Sequence, residues 1–190
     1  MQKYPPALAR KSLAILFAGF ASGFIAAPSV AGGLVPQGAF VETGAADHGI
    51  YATSVGLIWS WSLRYRWLGG EVTASTEAFA SHWSAKARTG REGYTELGLV
   101  PLARYRFSEG RSPWFVEGGI GVSLLDSELR TPYKQLSTTF NFYDVVAAGR
   151  NFGADMRHEI SLRMTHMSNG GIKKPNPGEN FFQLRYAASF

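Results

Sequence analysis

From Glu96 to Phe107 the chain alternates with a period of two. Leu97, Leu99, Pro101, Ala103, Tyr105 and Phe107 share one face, and Glu96, Gly98, Val100, Leu102, Arg104 and Arg106 share the other. Successive side chains of a strand leave opposite faces, so this period demands a β-strand with two unlike sides. It returns in residues 114–124, 136–142, 159–165 and 182–190, where Phe182, Leu184, Tyr186, Ala188 and Phe190 oppose Gln183, Arg185, Ala187 and Ser189. Eight strands are predicted, over residues 38–46, 50–61, 69–84, 92–107, 113–124, 135–149, 153–168 and 179–190. No linker, low-complexity tract or solenoid repeat divides them, which predicts one domain over 32–190.

Alternation alone also fits a soluble barrel or a sandwich. The charges favour a membrane. The polar face carries Glu96, Arg104, Arg106, Glu117, Arg163 and Arg185, signs that can pair in a narrow lumen, and the opposite face is long and aromatic. Thirteen Phe, eight Tyr and five Trp suit girdles at two interfaces. The aromatic close of the last strand resembles the assembly signal of outer-membrane barrels. The predicted fold is all-β, an eight-stranded antiparallel transmembrane β-barrel. Eight strands leave an interior that side chains fill, which argues against a general diffusion pore.

The N-terminal segment sets the compartment. Lys3, Arg10 and Lys11 precede an uncharged apolar run over residues 13–27, followed by Pro28-Ser29-Val30-Ala31. That order predicts a signal peptide over 1–31, cleaved after Ala31, and the run is short for a helix that must cross roughly thirty ångströms of hydrocarbon. Cleavage removes three of 19 basic residues and none of 14 acidic ones, leaving 16 against 14. The pI near 9.6 is then no argument for a nucleic-acid partner. With no cysteine, the exported chain relies on no disulfide. The expected destination is the bacterial outer membrane.

Both termini of an even-stranded barrel lie on its periplasmic side, so the seventh strand should end at the cell surface, at His166-Met167-Ser168-Asn169. His166 and Ser168 share the parity of Ile160, Leu162 and Met164, the predicted lipid-facing row. Polar groups at membrane depth are functional candidates by default. Histidine can take the proton of a serine hydroxyl and return it to a leaving group, and an acid would orient the imidazole. Glu179 is the sole carboxylate in the sequence after Ser168. Strict parity turns it inward, so that role requires a bulge or loop at Gly178. The plain alternative is that the strand leaves the bilayer at Met164 and that His166 and Ser168 are loop residues.

The segment from His166 to Asn180, HMSNGGIKKPNPGEN, resembles the signature of the PagL family of lipid A 3-O-deacylases. The segments from Trp114 to Gly121 and from Gly44 to Gly49 are similar to that family as well. The resemblance implies a serine esterase, with a Ser-His-Glu type triad on the barrel exterior, that hydrolyses the ester-linked 3-hydroxyacyl chain at position 3 of lipid A in lipopolysaccharide. By position Ser168 is then the nucleophile, His166 the base and Glu179 the acid, although family members can place the acid one residue later, where this chain has Asn180. Asn169, the backbone of Gly170 and Gly171, and Asn176 are oxyanion candidates, or else plain turn residues. Lys173 and Lys174 would meet lipid A phosphates, or form a solvated pair. His48, His82 and His158 lack ligand spacing, so no metal and no cofactor is expected. Lipopolysaccharide of the outer leaflet is the expected partner, with no nucleic acid and with oligomers left open. The rival readings are an outer-membrane phospholipase or acyltransferase, and a non-enzymatic structural or adhesion barrel.

Overall fold

The computed structural model describes residues 34–190, so the expected signal peptide over 1–31 lies outside the described residues. Eight strands follow in order: β1 (Gly38–Ala46), β2 (Ile50–Trp67), β3 (Gly70–Lys86), β4 (Arg91–Arg106), β5 (Trp114–Leu125), β6 (Phe140–Phe152), β7 (His158–Ser168) and β8 (Glu179–Ser189). Each pairs antiparallel with its sequence neighbour, and β1 pairs with β8 from Gly38↔Ser189 to Ala46↔Phe181, which closes the barrel. Closure removes every edge strand, so all ladder hydrogen bonds are internal, as hydrocarbon requires.

Several strand ends differ from the sequence-based expectation, among them the start of β7 at His158 rather than 153 and the end of β6 at Phe152 rather than 149, and two of the shifts have a visible cause. β2 runs to Trp67 rather than 61, and its register with β3 slips between Ser60 and Arg64; the bulge breaks the alternation that marks a strand. β6 starts at Phe140 rather than 135, because residues 126–139 form a loop instead of a strand. Leu129 and Leu136 are buried beneath that loop, and its one ladder contact is the Arg130–Gln135 bridge. An apolar residue that anchors a loop mimics the start of an alternating run.

The interior has two zones. Toward the end that bears the β7–β8 loop, Trp83 stacks edge-on against Phe181 with ring centres 4.7 Å apart, and Phe79 meets Tyr143 at 4.9 Å. The middle is ionic. Arg163 bonds Glu77 and Glu117 at 2.9 Å each and lies 3.8 Å from Glu42. Arg104 bridges Glu117 and Glu159 at 2.6 Å each, and Arg185 bridges Glu77 and Glu159. Arg163 and Arg185 also lie against the Phe40 ring, at 5.9 and 4.4 Å from its centre. Glu96 joins no arginine among the described residues but accepts a 3.0 Å bond from the Trp83 indole. A network of this kind fixes the cross-section of the barrel more than it stabilises it, because each ion gives up water to enter.

The exterior is the reverse. Val55, Leu57, Leu97, Leu99, Leu124 and Leu162 all project outward, Leu162 with 70% of its surface bare. A belt of that extent exceeds what water-soluble monomers expose and matches the lipid-facing band of a membrane barrel. Trp67, Tyr105, Phe107, Trp114, Phe152 and Tyr186 ring the end where β1 begins and β8 finishes, several in edge-on or tilted contact. The protein is a transmembrane β-barrel whose interior is filled with side chains through its middle and opens into a cavity of about 320 Å³, lined by Glu77, Arg104 and Glu159 among others, at the end where β1 begins.

Candidate active site

Along β7, Glu159, Ser161, Arg163, Thr165 and Met167 face the interior, while Ile160, Leu162, Met164, His166 and Ser168 face outward. His166 and Ser168 therefore belong to the strand, not to a loop, and continue the lipid-facing row to its rim. The flanking strands complete the patch. β6 sets Phe142 opposite Ser168 and Asp144 opposite His166, and β8 sets Asn180 opposite His166.

The imidazole is held from β8. Its Nδ1 lies 2.8 Å from Asn180 Oδ1. An amide oxygen only accepts, so the contact places the ring proton on Nδ1 and leaves the Nε2 lone pair free, the tautomer a general base needs. Gly178 presses on the same ring. A Cβ there would stand 2.6 Å from His166 Cε1, and its φ of +70° suits glycine alone. Ser168 Oγ accepts a 3.4 Å bond from the Gly170 amide.

Residues 169–178, the loop between β7 and β8, are braced by Asn169. This residue is buried; its amide nitrogen donates to Lys173 O at 2.8 Å and Ser137 Oγ at 3.2 Å, and its Oδ1 accepts from Gly171 N at 2.9 Å. Its own backbone amide is bound by Asn176 Oδ1 at 3.1 Å. Of the four expected oxyanion donors, the Asn169 side chain and Gly171 amide are thus engaged as staples. The Gly170 amide is turned to Ser168 Oγ, and the Asn176 side-chain nitrogen has no partner among the described residues.

Glu179 is not brought to His166. Its neighbour Asn180 takes the outward position, and Glu179 faces the interior, fully buried, with Oε1 3.0 Å from Lys134 Nζ of the 126–139 loop. The register of β8 is regular from its first residue, so the bulge that would turn Glu179 outward is absent there. Its carboxylate helps tie that loop down. A second tie joins Lys173 to Glu128 at 3.3 Å, and Ser137 Oγ donates to Lys173 O at 2.9 Å. Of the two lysines marked in the sequence, Lys173 is spent on this clasp; Lys174 is exposed and makes no ion pair among the described residues.

Hydrogen bonds from Arg130 and then Lys173 hold the Glu128 carboxyl below its ordinary value of 4.5. A lowered carboxyl contributes fully above the ordinary value and loses its contribution as pH falls through the lowered one. We therefore expect the 169–178 loop to stay clasped at neutral pH and to loosen under acid below about pH 4.5, measured as pepsin cutting within it. Because pepsin's own activity changes with pH, the readout is the ratio of parent to Glu128→Gln cutting, which should be low in weak acid and approach one in stronger acid.

Residues that sequence reasoning passed over are Asp144 and the clasp formed by Glu128, Lys134 and Ser137. Parity could have found Asp144, which shares the outward row of Phe140, Phe142 and Val146.

A closed eight-stranded barrel with an apolar exterior belongs to the class of integral membrane β-barrels. The family can be stated too. The model of the family described as lipid A 3-O-deacylase (PagL) matches residues 49–189. The chain is 30% identical over 133 residues to the lipid A deacylase PagL of Bordetella bronchiseptica, covering 70% of each protein. It is 30% identical over 135 residues to the lipid A deacylase PagL of Pseudomonas aeruginosa, covering 70% of this chain and 74% of that one. A crystal structure described as the outer membrane enzyme PagL superposes with a TM-score of 0.69 at 27% identity, over 80% of this chain and 99% of the other. The chain belongs to the PagL family.

Proposed function

We propose that this chain is an outer-membrane lipid A 3-O-deacylase, in which Ser168 is the nucleophile and His166 the general base. The observation that carries the reading is the placement of His166 and Ser168 on the outward row of β7 at the rim, with Nε2 left free by Asn180. An acyl ester of an outer-leaflet glycolipid lies just beneath the headgroup, so an enzyme that cleaves it without extracting the lipid needs its nucleophile on the outside wall at that depth.

The chemistry follows in balanced steps. Ser168 Oγ attacks the carbonyl carbon of the ester at position 3 while His166 Nε2 takes the hydroxyl proton. The tetrahedral oxyanion is met by the Asn176 side-chain nitrogen, and by the Gly170 amide once that amide turns from Ser168 Oγ to the new oxygen. Collapse breaks the bond to the sugar oxygen, which leaves with the proton from His166. Water, deprotonated by the same imidazole, then cleaves the acyl-serine and releases the 3-hydroxy fatty acid. Glu179, facing the interior, takes no part; the third position of the relay falls to Asn180. Lys174 is the loop cation available to a lipid A phosphate. Delivery to the outer membrane would follow removal of residues 1–31 as a signal peptide.

Gly178 gives a test of the ring position. Gly178→Ala should drive the added methyl into His166 Cε1 and lower kcat by about 10- to 100-fold, as small misplacements of a catalytic group do, with little change in KM. Single-turnover fatty acid release measures it.

The substrate is tested by incubating the purified barrel separately with lipid A and with phospholipid vesicles. Release of a 3-hydroxy fatty acid from lipid A, with phospholipid left intact, is the expected result. Fatty acid from phospholipid alone would make the protein a phospholipase, and release from neither would remove the enzymatic reading.

A further inference from the structure

Orienting an imidazole and stabilising its charge are separate tasks, which a single carboxylate usually performs together. Here the residue bonded to His166 Nδ1 is Asn180, an amide that fixes the tautomer but carries no charge. As His166 takes the serine proton it becomes a cation beside hydrocarbon, and β8 offers nothing to balance it.

The other neighbour of His166 does. The outward row of β6 reads Phe140, Phe142, Asp144, Val146 and Ala148, a carboxylate set in an otherwise apolar face. A charge on a lipid-facing wall is costly and needs a reason. Asp144 is half-buried and makes no ion pair with lysine or arginine among the described residues. Its register partner is His166 itself, one strand away on the same face, and the two groups lie within electrostatic reach. Directly opposed residues of an antiparallel pair have Cβ atoms roughly 5 Å apart, so no main-chain movement is needed to bring them together. The outward residues that flank the ring from both strands are Phe142, Asp144 and Val146 on β6 and Asn180 and Phe182 on β8, so Asp144 is the one charged group among them.

We infer that the relay is split across three strands: Asn180 of β8 orients His166, and Asp144 of β6 supplies the negative charge that stabilises the imidazolium formed when Ser168 is deprotonated. The inference rests on the reading of Ser168 and His166 given above. Asp144 touches no reacting atom and is a positioning residue in the electrostatic sense, acting through His166. Replacing it removes a negative charge from the lipid face, which favours insertion of the barrel.

The test is Asp144→Asn in the lipid A assay, with heat-modifiable gel migration reporting the fold, and Asp144→Ser as a second replacement should the amide variant fail to insert. Loss of one opposite charge at this range should lower kcat about 100-fold with KM unchanged. Asn180→Asp added to the Asp144→Asn background should restore most of the rate, because it returns a carboxylate to the other side of the same ring. Wild-type kcat in the folded variant would overturn the inference. So would a loss of kcat that Asn180→Asp leaves unrepaired, since that marks Asp144 as merely structural. Ser168→Ala in the same assay keeps the two levels apart. If it stays active, the reading of the site itself has failed; if it is dead while Asp144→Asn is fully active, only the role of Asp144 has.

Discussion

Alanine at His166 is expected to lower kcat for lipid A deacylation by about 10⁴- to 10⁶-fold while leaving the barrel folded. In serine hydrolases the nucleophile and base act as a unit, and removing either costs nearly as much as removing the whole relay; the residual rate comes from oxyanion stabilisation and binding. Without the imidazole, Ser168 keeps its proton at neutral pH, and the departing sugar oxygen has no acid. The fold should tolerate the change because the ring lies on the exterior and its hydrogen bond is to Asn180 at the rim, not to the ionic interior. KM should move little, since the apolar wall that receives the acyl chains is untouched. Rates of fatty acid release, set beside heat-modifiable migration on gels, separate lost chemistry from lost structure. A variant within tenfold of the parent would mean that another group takes the proton.

The opposite dissociation is expected at Arg163. Its guanidinium holds Glu77 and Glu117 at 2.9 Å and lies 3.8 Å from Glu42, all three nearly devoid of solvent. Arg163→Met keeps much of the side-chain volume and strands carboxylates inside the barrel. Breaking a buried pair from one side destabilises by about 3–5 kcal/mol, because the remaining charges have lost both water and partner. Urea unfolding in lipid vesicles, followed by tryptophan fluorescence, should show a lowered midpoint of that size. The surviving folded fraction should deacylate at the parental rate per molecule, since Arg163 and the His166–Ser168 pair sit on opposite sides of the β7 ladder.

How much of this was readable beforehand depended on what each residue answers to. Parity is a local property, so the outward placement of His166 and Ser168, the inward set of Glu117, Arg163 and Arg185, and the inward turn of Glu179 all followed from counting along a strand. The eight-strand count and the antiparallel order came from the same period. Boundaries failed where local pattern and tertiary role part company. Leu136 is apolar because it anchors a loop, and the bulge at Ser60 hides the last turns of alternation in β2. Partner choice in the lumen was not readable, because Arg163 meets Glu77 and Glu42 through closure of the barrel rather than through neighbouring sequence. The same holds for Lys134, whose bond to Glu179 needs the 126–139 loop to fold over the barrel mouth. A role for Glu179 beside His166 was inferred from the family pattern against its own parity, and parity was the better guide.

The central claim is that Ser168, on the outer wall of β7, cleaves the acyl ester at position 3 of lipid A. Mass spectrometry of lipid A from cells expressing the parent chain and Ser168→Ala, with both shown to be folded by heat-modifiable migration, tests it most directly. The account predicts loss of one ester-linked 3-hydroxyacyl chain with the parent and unaltered lipid A with the variant. Equal loss with both proteins, or intact lipid A with a well-folded parent, would contradict it.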